Sequence, residues 1–242
     1  MTIPPESVPS SRDTPAAMFV PEVMRYSKLA SVPELVTAYY TSGPGLSVAL
    51  QPVAFGKSGH HGSPLSRSFN EAHVLSITQA ICDYRSRQGI LGAVFVGVGA
   101  NALCRLAFTT ALEILAANGL EVSIASSHES APVRAVSSAI VMHNRREGDA
   151  SADGIVIAPS HHRPEHGGIE YLSPHGGPLG ARAARWIDTA ANEYLQWGPG
   201  SVRRVPYQQA LVLPTIHDEA GLLRPVRRVL GARNEAATVS LD

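Results

Sequence analysis

Apolar positions along the chain alternate between two periods. Val74, Ile77, Ile81 and Tyr84 recur at three- and four-residue spacing, which predicts a helix. Ser68 and Glu71 have capping-box spacing at its start, and Gly89 stands where a C-terminal cap belongs. Ala93 to Val96 is a short apolar run read as a buried strand. Leu103 to Asn118 reads as a second helix closed by Gly119, and Glu121 to Ala125 as a strand. Pro132 to Asn144 is a third helix with proline in its first turn, and Asn144 to Asp153 is polar and turn-like. Gly154 to Ile157 is another buried strand, Ala158 to Gly177 a loop, and Ala181 to Trp197 a helix with Ala183, Trp186, Ile187, Ala190 and Tyr194 on one face. Upstream, Val32 to Tyr40 fits a short helix with Ser31 and Glu34 as its capping box, and Gln51 to Phe55 fits a strand. Strands alternating with helices of this length predict a layered α/β domain with a largely parallel sheet.

The ends differ. Residues 1–30 are rich in Pro and Ser and predict a flexible arm; residues 31–200 carry the domain pattern. Residues 201–242 gather Arg203, Arg204, Arg224, Arg227, Arg228 and Arg233 with little strand signal, and predict an irregular tail.

Composition narrows the function classes. Twenty Lys+Arg balance 20 Asp+Glu in 242 residues, which argues against binding nucleic acid or a membrane surface through bulk positive charge. Only Lys28 and Lys57 are lysines. Cys82 and Cys104 are too few for a disulfide framework or a four-cysteine zinc site, and fit a reduced, cytoplasmic compartment. The first 12 residues lack a basic-then-apolar leader pattern, and the uncharged run Gln88 to Cys104 holds four glycines and reads as strand and turn, not as a membrane helix.

Three segments carry candidate chemistry. Ser160, in the Pro-bounded loop after a buried strand, could accept a phosphoryl group, with His161 moving its proton. The plain alternative is a polar surface loop. His161, His162, Glu165 and His166 could also hold a transition metal, but no element fixes their spacing. Gly56-Lys57-Ser58-Gly59 resembles part of a phosphate loop, yet Gln51 stands where the pattern needs its first glycine; Gly56, Gly59 and Gly62 still permit close approach of backbone to an anion. Gly97-Val98-Gly99-Ala100-Asn101-Ala102 matches a relaxed dinucleotide fingerprint, without the acid expected after the next strand; two glycines in a tight turn explain it as well.

Four segments taken together resemble one family. FNEAHVLSITQAICDYRSRQG (69–89), LEILAANG (112–119), ADGIVIAPSH (152–161) and PHGGP (174–178) are collinear with the first domain of phosphoglucomutases of the α-D-phosphohexomutase family, over about Ser31 to Ala210. The resemblance implies a three-layer α/β/α sandwich domain with a mostly parallel mixed sheet, the first of four domains in the full enzyme. It implies exchange of phosphate between positions 1 and 6 of glucose through a phosphoserine. By this resemblance Ser160 carries the phosphate and binds Mg²⁺, with the other metal ligands in a later domain. His161 matches the residue after it, and Gly56, Ser58, Gly59 and Gly62 match the family's glycine loop; with Arg163, which could replace some of the lost charge, they are the phosphate-binding candidates.

The match breaks at charged positions. The family's Gly-Thr-Ser-Gly-His-Arg-Gly is here GKSGHHG, so Lys57 replaces Thr and His61 replaces Arg. After the serine and histidine, Asn-Pro-Pro has become His162, Arg163 and Pro164, and the family's catalytic lysine has become Glu170. A phosphoserine brings nearly two negative charges. One facing cation is replaced by histidine, a residue type that is ordinarily mostly neutral at pH 7, and the other by an acid. The expectation is a truncated domain with little mutase activity alone. The alternatives are a non-catalytic relic or partner, a dinucleotide-binding module, and an enzyme completed by another polypeptide. Expected contacts are a weakly held phosphosugar, and a second copy of the chain or a full-length mutase.

Overall fold

The computed structural model describes residues 31–45, 51–56, 59–125, 132–146, 150–159 and 165–219. Helix α1 (Val32–Thr41) starts where predicted: the Ser31 hydroxyl accepts the Glu34 N–H at 3.2 Å. Helix α2 (Glu71–Gln88) starts on Asn70 instead of Ser68. Asn70 Oδ1 accepts the His73 N–H at 3.4 Å and the His73 ring reaches back to the Asn70 N–H. The Ser68 hydroxyl is occupied one turn earlier, accepting the Ser63 N–H at 3.1 Å. Gly89 closes α2 in the left-handed conformation, φ +67°, as expected. Helix α3 (Ala102–Ala117) is capped by Asn101, whose Oδ1 accepts the Cys104 N–H at 2.8 Å. Helices α4 (Val133–Asn144) and α5 (Ala181–Trp197) also fall where the periodicity placed them, and a one-turn α6 spans Tyr207–Ala210.

Six strands form one sheet: β1 (His60–Gly62), β2 (Val94–Val98), β3 (Val122–Ala125), β4 (Asp153–Pro159), β5 (Gly167–Leu172) and β6 (Ile216–Glu219). Their spatial order is β1-β5-β4-β2-β3-β6. β4, β2, β3 and β6 are mutually parallel, while β5 runs antiparallel between β4 and β1. Alternation assigns the faces. Val94, Val96, Val98, Ile155 and Ile157 join the core under α2, α3 and α5. Phe95, Val156 and Leu172 point the other way, onto Ala135, Val136 and Ile140 of α4. The result is an α/β/α domain with a mostly parallel mixed sheet. The central strands are buried on both sides, so they read as unbroken apolar runs.

Arg85 of α2 is buried against the sheet. Its guanidinium bonds Asp153 of β4, which also accepts the Tyr171 hydroxyl of β5. One ion pair therefore ties a helix to two strands.

Three expectations change. Gln51 to Phe55 forms no strand among the described residues: Gln51 and Pro52 bend, and side chains take backbone groups of Val53 and Phe55. The segment expected as a loop from Ala158 to Gly177 contains β5. Residues 201–219, expected as the start of an irregular tail, carry α6 and the edge strand β6. They are anchored by Arg204, which bonds Glu113 of α3 at 2.6 Å and Glu71 of α2 at 2.8 Å. The expected arm, 1–30, and residues 220–242 lie outside the described residues. Among the described residues no helix is long and apolar enough to cross a membrane.

Candidate active site

In a parallel sheet, ligands sit beyond the carboxyl ends of the strands. Here that edge is marked by one row of register partners, Gly62 of β1, Gly167 of β5 and Pro159 of β4. Ser160 is the next residue after Pro159. Ser160, His161 and Arg163 lie outside the described residues, as do Lys57, Ser58, His162 and Pro164. What can be built is the frame around them.

The first part of the frame is a hairpin. Gly56 N–H donates to Gly59 O at 3.1 Å and Gly59 N–H to Gly56 O at 3.2 Å. These two amides are committed to each other, so the glycines shape the loop more than they donate to an anion. Gly59 has φ +82°, and a Cβ there would lie 2.1 Å from the Ile169 carbonyl oxygen, so only glycine fits.

The second part is a pair of adjacent histidines on opposite faces of β1. His60 points into the core and stacks on His73 of α2, ring centres 5.0 Å apart. Its Nδ1 accepts the Ala54 N–H at 3.1 Å, so its Nε2 carries the proton and donates to Ser68 O at 2.7 Å. Burial pushes both rings down, and for His73, which also faces His60, to about 4. His61 points to the α4 side, opposite Gly168. Its ring occupies the space a side chain at Gly168 would need: a Cβ there would meet His61 Cδ2 at 2.1 Å. Two residues on, Glu170 reaches His61, Oε1 to Nε2 3.6 Å. The two positions where the resemblance expects cations therefore touch, and they carry a histidine and a carboxylate.

The third part is the segment after β2. Gly97 is a ladder residue of β2 paired with Val156, not a turn glycine. Gly99 N–H donates to Ile157 O at 2.7 Å, and the α3 N-terminus is capped from within by Asn101. A pyrophosphate needs the turn and the free helix end that this geometry uses internally. The dinucleotide reading finds no support here.

Mg²⁺ takes several oxygen ligands. Among the described residues no group of three or more His, Cys, Asp or Glu side chains comes together. Of the four loop residues that could hold a transition metal, only Glu165 and His166 are described. The described residues do not fit a metal centre by themselves.

Sequence reasoning missed Asp188 and Asn192 of α5. Their side chains hold Phe55 and Val53 just before the glycine hairpin. A polar pair at i and i+4 beside an otherwise apolar helix face was the available signal.

This six-stranded frame, with its ligand edge at Pro159 and Gly62, defines the class: a three-layer α/β/α domain. The family model for phosphoglucomutase/phosphomannomutase, alpha/beta/alpha domain I, matches residues 52–196, more than half of the chain. The chain belongs to that family. A phosphoglucomutase of Komagataeibacter xylinus is 47% identical over 188 residues, 78% of this chain and 34% of that protein. The chain thus spans about a third of that relative's length. Among solved structures, a Thermus thermophilus protein assigned as a phosphomannomutase shares the fold with TM-score 0.56 at 22% identity, covering 75% of this chain and 36% of that one. The Paramecium phosphoglucomutase pp63/parafusin, in its open form, matches with TM-score 0.54 at 18% identity, over 72% of this chain and 29% of that one.

Proposed function

We propose that this chain is a phosphoglucomutase-like domain whose Ser160 accepts a phosphoryl group but which turns over glucose 1-phosphate slowly or not at all by itself. In the accepting step, the phosphoryl group leaves a sugar bisphosphate oxygen and bonds to Ser160 Oγ. The Ser160 proton leaves through His161 and returns to the sugar oxygen. One observation supports the slow turnover: Glu170, where the resemblance has the catalytic lysine, stands 3.6 Å from His61, where it has an arginine, so this reading puts a carboxylate where a transferring phosphoryl group needs positive charge. A coupled assay of glucose 1-phosphate conversion tests this. The purified chain should turn over far more slowly than the Komagataeibacter phosphoglucomutase, and an equal rate would overturn the reading.

A second reading takes the same charge change further. The chain would be a non-catalytic partner of a full-length phosphohexomutase, keeping the family's surfaces without its chemistry. Sedimentation of the chain mixed with that enzyme separates the two readings: a stable complex without phosphorylation favours the partner. A cytoplasmic location is part of both. It rests on the low cysteine count: Cys82 and Cys104 are the two cysteines of the chain, and both are free.

A further inference from the structure

Val53 and Phe55 are buried in the core with Ala54 facing out, the alternation of a strand. Yet among the described residues no strand pairs with this segment, so its backbone groups need other partners. Phe55 N–H donates to Asp188 Oδ1 at 2.7 Å. Val53 N–H donates to Asn192 Oδ1 at 2.9 Å, and Val53 O accepts from Asn192 Nδ2 at 2.9 Å. Asn192 Nδ2 also donates to Asp188 O at 2.9 Å, which fixes which way its amide faces. The two side chains sit one helical turn apart on α5 and imitate a strand's ladder. Gly56, where the hairpin begins, directly follows the last residue they hold.

We propose that Asp188 and Asn192 are positioning residues: by clamping Val53 and Phe55 they set where Gly56 and Gly59 lead into β1, the short strand whose far end, Gly62, stands at the ligand edge of the sheet. Neither need touch the ligand. The importance of the loop rests on the phosphoryl-transfer reading above; the clamp itself does not.

Two measurements on the full chain keep those claims apart. Amide hydrogen exchange at Val53 and Phe55 reads the clamp, and amide shifts of Gly59 and Gly62 on titration with inorganic phosphate read the loop. In D188L/N192L, exchange at Val53 and Phe55 should accelerate at least tenfold while amides in the centre of β2 stay protected. Phosphate affinity should fall about tenfold. D188N should resemble the wild type at Phe55, because its Oδ1 still accepts that N–H. Should the double variant fail to fold, D188L alone is read at Phe55 in the same way. Unchanged exchange in the leucine variants overturns the clamp. Faster exchange in a protein whose wild type binds no phosphate keeps the clamp and sinks the anion role of the loop.

Discussion

His61 and Glu170 stand where the resemblance expects two cations. They meet because Gly168, between them on the same face, has no side chain. A carboxylate beside a dianionic phosphoryl group is repulsive, and its effect is strongest where water is excluded. H61R/E170K should therefore bind inorganic phosphate about tenfold or more tightly than the wild type by calorimetry. Equal affinity would mean that this pair does not face the anion. Asp153 offers a different kind of test. It is fully buried, holds Arg85 and Tyr171, and its loss would strand a buried guanidinium. D153A should lose about 3–5 kcal/mol in chemical denaturation; a loss near zero would show that the guanidinium finds another partner. The charge exchange at residues 61 and 170 was legible in the sequence, but their contact was not. It needs β1 and β5 in register, and β5 was hidden by its own composition.

At the scale of elements, the sequence was informative wherever structure is local. Ser31, Gly89 and Asn118 mark helix ends through contacts within a few residues, so α1, α2, α3, α4 and α5 were all visible. The failures are tertiary. Two glycines open β5, and they read as loop, but they are demanded from across the fold. His61 lies on Gly168, while Phe69 and Leu103 leave no room beside Gly167. β6 is four residues, three of them polar, and only its pairing to β3 makes it a strand. Gln51 to Phe55 failed in the opposite sense, a strand pattern completed by side chains 133 and 139 positions away. The same region carries a pH prediction. His60 and His73 are held neutral by burial, so in the unfolded chain they bind protons that the folded state refuses. The folded pKa is depressed, which makes their contribution full above about 6.5 and lost as pH falls toward the folded value. For His73, whose folded value is about 4, the loss is of order 3 kcal/mol. Denaturation free energies measured from pH 7 to pH 4 should show this decline, and a flat profile would contradict the buried neutral pair.

For the whole molecule, the skeleton and the chemistry have diverged. The apolar layers on both faces of the sheet, the capped helices and the row Gly62, Gly167, Pro159 keep the family's frame. By the resemblance, charged positions around its edge differ from the family's, at Lys57, His61 and Glu170. A frame kept with altered chemistry fits a domain that still accepts a phosphoryl group yet passes it on poorly. Intact mass spectrometry with peptide mapping, after incubation with glucose 1,6-bisphosphate, asks this most directly. The account predicts one added phosphoryl group, located on Ser160 and absent from S160A. No adduct on the wild type, or an adduct that survives in S160A, would contradict it.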